Sequence, residues 1–123
     1  MRPEPEESEM KYMLMFTSDG DGMDSAPPEA VQAMYAKVGE WWSTHSASGA
    51  LLDGHQLQPA STATTVDPRT GVVTDGPFLE SKESIGGYGI VEAPDLDTVI
   101  AMARTWPASA HVEIRPIVEQ PGM

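Results

Sequence analysis

Lys11-Tyr12-Met13-Leu14-Met15-Phe16-Thr17 carries two alternating apolar sets. Successive strand side chains point to opposite faces, so Tyr12, Leu14 and Phe16 share one face and Met13 and Met15 the other. A strand covered by helices on one side needs only one apolar face. Two apolar faces predict a sheet that carries helices on one side and buries its other side by different means.

Outward from that strand, Pro27-Pro28-Glu29 opens a helix over residues 28–48. Proline is tolerated in a first turn, and an acid is favoured at the N-terminal dipole. Met34, Val38, Trp41 and His45 recur at helical steps, Val31, Tyr35 and Trp42 widen the stripe, and Gly49 stands where a helix ends. Residues 50–57 read as a second strand, bent at Gly54. Ser61–Val66 is a β-branched strand, Asp67-Pro68-Arg69-Thr70-Gly71 a turn, and Val72–Thr74 the return of a hairpin. Asp75-Gly76-Pro77-Phe78 is a further turn. Ile85–Glu92 is a strand in which Tyr88 and Ile90 share a face and Gly87 and Gly89 leave the other bare. Pro94-Asp95 starts a second helix with the stripe Leu96, Val99, Ile100, Ala103 and Trp106, and Pro107 ends it. His111–Val118 is the last strand, and Pro116 places it at a sheet edge because proline donates no ladder bond.

The order β-α-β-β-β-β-α-β is an α+β, ferredoxin-like βαββαβ frame with an inserted hairpin. Its helices fall on one face of the sheet. The expected naked face carries Met13, Met15 and the glycine side of residues 86–90, and a second copy of the same sheet would bury it. A homodimer follows as an expectation. Residues 1–10 form a flexible leader, 11–119 the single domain and 120–123 a tail.

Composition narrows the function classes. The formal net charge is −12, and the seven basic residues are scattered rather than clustered. That pattern argues against nucleic acid, whose phosphates need a basic stripe, and against an anionic membrane surface. The chain has no cysteine, which removes thiolate and disulfide chemistry. No apolar run approaches the ~20 residues that span a bilayer, and residues 1–9 lack the apolar core of a signal peptide, so a cytoplasmic setting is expected. Neither a cofactor motif nor metal-ligand spacing is present. Asp19 and Asp21 lie in an acidic glycine loop that lacks the twelfth-position glutamate of a calcium loop, and it reads as solvated.

The candidate acid–base groups are His55, His45 and Asp75. His55 follows Asp53-Gly54 near a strand end, where an imidazole and a carboxylate can move a proton at neutral pH; Asp75 is its expected partner. The plain alternative for Asp75 is a carboxylate that caps its own turn. His45 continues the first helix stripe, either as a base or as a half-buried histidine whose protonated form the helix C-terminus favours. Lys82 and Arg115 are candidate anchors for a small anionic ligand, against the alternatives of a solvated cluster with Glu80 and Glu83 and of an exposed cross-strand ion pair. Trp41, Phe78 and Tyr88 are candidate pocket walls.

Four pieces of the chain resemble the YCII-related family, in its DGPF-domain branch. They are Lys11-Tyr12-Met13-Leu14; Leu57-Gln58-Pro59 with Ala63-Thr64-Thr65-Val66; Thr74–Glu83 with Gly86-Gly87-Tyr88; and Val112-Glu113-Ile114-Arg115-Pro116. The resemblance implies a dimeric α+β barrel of ferredoxin-like halves, and members of unassigned function. Some members look like sigma-factor-associated regulatory partners, and a few relatives carry muconolactone-type dehalogenase or isomerase activity. Two readings of the candidate residues are expected: a cofactor-independent acid–base enzyme for a small organic acid or lactone, or a non-catalytic ligand-binding or regulatory protein. The wider family is also associated with a His–Asp pair whose histidine lies on the first helix. Val38 stands near that position here, and His45 follows two turns later.

Overall fold

The computed structural model describes residues 9–18, 27–76, 84–108 and 111–119. Strand β1 (Met10–Ser18) is followed by helix α1 (Pro28–Ala47), β2 (Leu51–Gln56), a 3-10 turn (Ala60–Thr62), β3 (Thr64–Asp67) and β4 (Val72–Asp75). Strand β5 (Ser84–Ala93), helix α2 (Leu96–Arg104) and β6 (Val112–Pro116) complete the order. Four strands form one antiparallel sheet in the order β2-β5-β1-β6, and β3 pairs with β4 in a separate ribbon. The architecture is mixed α+β, with the hairpin between β2 and β5. Pro116 lies at the sheet edge, as its missing N–H requires. The Asp19–Asp21 loop, Phe78 and Lys82 lie outside the described residues.

The core forms between the sheet and the helices. Tyr12, Leu14 and Phe16 are buried there with Trp41, Leu51, Val91, Val99 and Met102, while Met13 and Met15 are half-buried on the opposite face. Phe16 stacks on Trp106 at 3.9 Å between centroids, and Trp41 meets Phe16 and Trp106 edge-on at 5.7 and 5.1 Å. Offset-stacked and edge-on arrangements suit ring quadrupoles. The Trp41 indole N–H donates to the Met102 carbonyl at 3.2 Å and to the Thr105 hydroxyl at 2.9 Å, locking α1 to the end of α2.

Local chemistry sets the element ends. The Asp95 carboxylate accepts from the Thr98 N–H at 2.8 Å and its hydroxyl at 2.7 Å, capping α2. Both bonds favour the ionised acid and lower its pKa. Gly49 and Gly71 adopt positive φ, at 86° and 80°, closing α1 and the β3–β4 turn. The expected strand at Ser61 begins instead with the 3-10 turn. There the Thr62 N–H and hydroxyl both donate to the Pro59 carbonyl, at 2.9 and 2.7 Å, and these local bonds compete with the strand ladder. The second helix buries Met102, whereas Leu96 is exposed.

One expectation is reversed. Gly87 and Gly89 lie on the helix-covered face, opposite Phe16 and Leu14. They leave room there for larger neighbours: a Cβ on Gly89 would stand 3.3 Å from Leu51 Cδ1 and 3.6 Å from the Trp42 ring. The face left open among the described residues therefore carries Tyr88 and Ile90 beside Met15 and Met13.

Candidate functional site

Two cross-strand rows cross the open face of the four-stranded sheet. His55, Tyr88, Met15 and Glu113 stand in one register row, and Asp53, Ile90, Met13 and Arg115 in the next. Each row is apolar at its centre, on β5 and β1, and polar at its ends, on the edge strands β2 and β6. Directly opposed residues of antiparallel strands are the closest side-chain neighbours on a sheet face.

A bulge puts the β2 groups there. Leu51 is buried on the helix side opposite Val91, yet Asp53 pairs with Ile90, so two steps on β2 match one on β5. The extra residue at Leu52 turns everything after it to the other face. His55 Nε2 then lies 3.6 Å from Asp53 Oδ1, with both side chains largely exposed, and its ring is 5.9 Å from that of Tyr88. At the far edge the Arg115 guanidinium is held by the Glu113 carboxylate two residues away on the same strand. That pair runs along one strand, not across two.

The other candidates lie elsewhere. Trp41 is core, on the helix side of the sheet. His45 is half-buried on α1 with its ring 4.5 Å from that of Trp41. Burial holds its pKa below the ordinary 6.5, opposing the expected pull of the helix C-terminus towards the protonated form. A depressed histidine pKa favours the neutral folded chain, so its contribution to stability is present above the ordinary pKa and lost as pH falls through the folded value. His45→Gln should therefore flatten the fall in urea midpoint between about pH 7 and about pH 5, and an unchanged slope would show that His45 does not set it.

Asp75 closes β4 on the separate ribbon, exposed and opposite Thr64. The expected cap by Asp75 falls on a turn outside the described residues; beside it the Gly76 N–H donates to the Ala63 carbonyl at 2.7 Å, and the Thr65 hydroxyl to the Gly76 carbonyl at 2.7 Å. The carboxylate beside His55 is Asp53. The sequence signal for that pairing is the Asp-x-His alternation on one strand, which two-residue spacing places on one face.

An open groove of about 400 Å³ runs between α2 and β6, lined by Ile100, Ala103, Arg104, Trp106, Val112 and Ile114 among others, on the helix side and away from His55. Among the described residues no group of three histidine or acidic side chains is placed to hold a metal ion. No helix among them is long and apolar enough to cross a membrane.

The family model described as the YCII-related domain matches residues 10–120. An uncharacterised protein of Rhizobium meliloti (strain 1021) is 32% identical over 94 residues, covering 72% of this chain and 68% of that protein.

Proposed function

This chain belongs to the YCII-related family, and from that premise we propose that it is a cofactor-independent acid–base enzyme for a small organic acid or lactone, working as a homodimer. The observation that carries the proposal is the His55–Asp53 contact beside Tyr88, on a sheet face whose centre is apolar. Imidazole is the side chain suited to moving protons at neutral pH. His55 takes up and returns the proton, Asp53 orients its ring, and Arg115 binds the substrate carboxylate in a bidentate fork. Tyr88, Ile90, Met13 and Met15 supply the apolar surface against which the carbon skeleton lies.

The dimer belongs to this reading because the site is too wet in one copy. The His55 and Asp53 side chains are 68% and 58% exposed, and electrostatic catalysis needs a water-poor site. A facing sheet would dry them and bury Met13, Met15, Tyr88 and Ile90, at roughly 25 cal/mol per Å² of apolar surface. Two ferredoxin-like sheets closing face to face form the dimeric α+β barrel. Residues 74–83 support placement in the DGPF branch, and the proposed setting is the cytoplasm.

The test is a ligand-observed NMR screen of small aromatic and aliphatic carboxylates and lactones, followed by turnover of any binder. Arg115→Gln should weaken a carboxylate binder at least about tenfold, and His55→Ala should lower turnover by about 100-fold with the fold intact. Absence of any binder at millimolar concentration would sink the reading. Binding without turnover would establish the non-catalytic alternative instead.

A further inference from the structure

His55 and Arg115 stand on the two outer strands of the sheet. Three strand spacings separate β2 from β6 in the order β2-β5-β1-β6, which is about 14 Å. A small organic acid does not bridge that gap, so within one copy the base and the anion anchor cannot act on the same molecule.

The row pattern supplies a solution. A two-fold axis lying midway between two facing sheets and parallel to their strands keeps each row at its height and reverses its order. The row Asp53–Ile90–Met13–Arg115 then lies over Arg115–Met13–Ile90–Asp53 of the second copy. Likewise His55–Tyr88–Met15–Glu113 lies over Glu113–Met15–Tyr88–His55. Opposite charges meet at both ends of the first row, and an imidazole meets a carboxylate at both ends of the second. In the middle, apolar side chains meet apolar ones, with methionine sulfur over the Tyr88 ring, a favourable contact. Sheets stack about 10 Å apart, so facing edges are closer than the two edges of one sheet. The ~30° angle between aligned sheets shifts the ends of the rows without changing which edges meet.

We infer that the site is composite: His55 and Asp53 of one copy work with Arg115 and Glu113 of a second copy, giving two sites per dimer at opposite edges. The inference rests on the acid–base reading for its chemistry, and on the row pattern and the width of the sheet for its geometry. Glu113 holds Arg115 in the single chain, and in the dimer Asp53 of the second copy and the incoming carboxylate share that guanidinium.

Charge complementation tests this without any ligand. Arg115→Asp sets the new carboxylate against Asp53 of the second copy at both ends of the dimer. Asp53→Lys sets the new ammonium against Arg115 at both ends. In a heterodimer of the two variants both contacts join opposite charges. Each variant alone should dimerise about tenfold or more weakly than wild type by sedimentation equilibrium at low salt, because like charges oppose each other across the interface. A one-to-one mixture should recover dimerisation to within about threefold of wild type. A mixture no tighter than its components, or variants that dimerise like wild type, would overturn the composite site.

Thermal unfolding of each variant checks that the monomer is intact. If either reversal unfolds the chain, Asp53→Ala, Arg115→Ala and the double variant supply a cycle in the same assay. Non-additive weakening is then the supporting result and additive weakening the opposing one. Failed rescue with carboxylate binding intact overturns the composite arrangement alone. Full rescue with no bound acid overturns the acid–base reading alone.

Discussion

Trp41→Ala is expected to destabilise the chain by about 3–5 kcal/mol, the range for removing a buried tryptophan. Trp41 is 5% exposed and is packed edge-on by Phe16, Trp42 and Trp106. Its removal leaves a cavity where two helices and β1 converge, and those elements cannot all collapse into it. The loss also strips two hydrogen bonds from the end of α2. The Met102 carbonyl keeps a donor, since the Thr105 hydroxyl also reaches it at 2.7 Å, so the cavity dominates. Trp41→Phe keeps much of the volume and loses only the indole donor, and should cost about 1–2 kcal/mol. Urea unfolding of the two variants separates the terms. Equal losses would show that the hydrogen bonds, not the packing, carry the effect.

Gly54→Ala is the second large effect, although it adds one methyl group. A Cβ there would stand 2.6 and 2.7 Å from two carbons of the Trp42 ring and 2.7 Å from the Tyr88 carbonyl oxygen. The indole can rotate away only into a crowded aromatic cluster. The carbonyl belongs to the neighbouring strand and moves only if the β2–β5 ladder moves. Overpacking of this kind costs about 1–3 kcal/mol, and the backbone contact places Gly54→Ala near the upper end. Gly89→Ala is the control. Its nearest new contact is a leucine methyl at 3.3 Å, and it should cost under about 1 kcal/mol. Gly54 also lies between Asp53 and His55, so its substitution should weaken the proposed dimer and the proposed acid binding through β2. Equal stability of Gly54→Ala and Gly89→Ala would contradict the close packing of Trp42.

Much of the fold is legible in the chain because its signals are local. The alternation in residues 11–17, the stripe at Met34, Val38 and Trp41, and the glycine at position 49 each report a backbone geometry that near neighbours decide. Ser61 misled because short hydroxyl side chains stabilise a turn as readily as a strand. Leu96 misled because it stands in the first turn of α2 and is exposed, and Met102 was missed although it follows the buried Val99 by three residues on the same face.

The candidate site was legible in part. His55, Tyr88 and Arg115 share the open face, whereas Trp41 and His45 are on the helix side and Asp75 is on the hairpin ribbon. Periodicity names the two faces of a strand but not which one the helices cover. The glycines of β5 illustrate this, since a bare face serves equally for a facing sheet or for an indole pressed against it.

By itself the sequence determined an α+β chain with a sheet strand of two apolar faces, no cysteine and a formal net charge of −12. Those properties are written in composition and in periods of two and 3.6 residues. Only the tertiary structure decided which groups share the open face. One bulged residue, Leu52, turns Asp53 and His55 away from the helices, because a single-residue slip exchanges the two sides of a strand. The strand order then sets His55 and Arg115 on opposite edges, a separation that arises from pairing between distant segments.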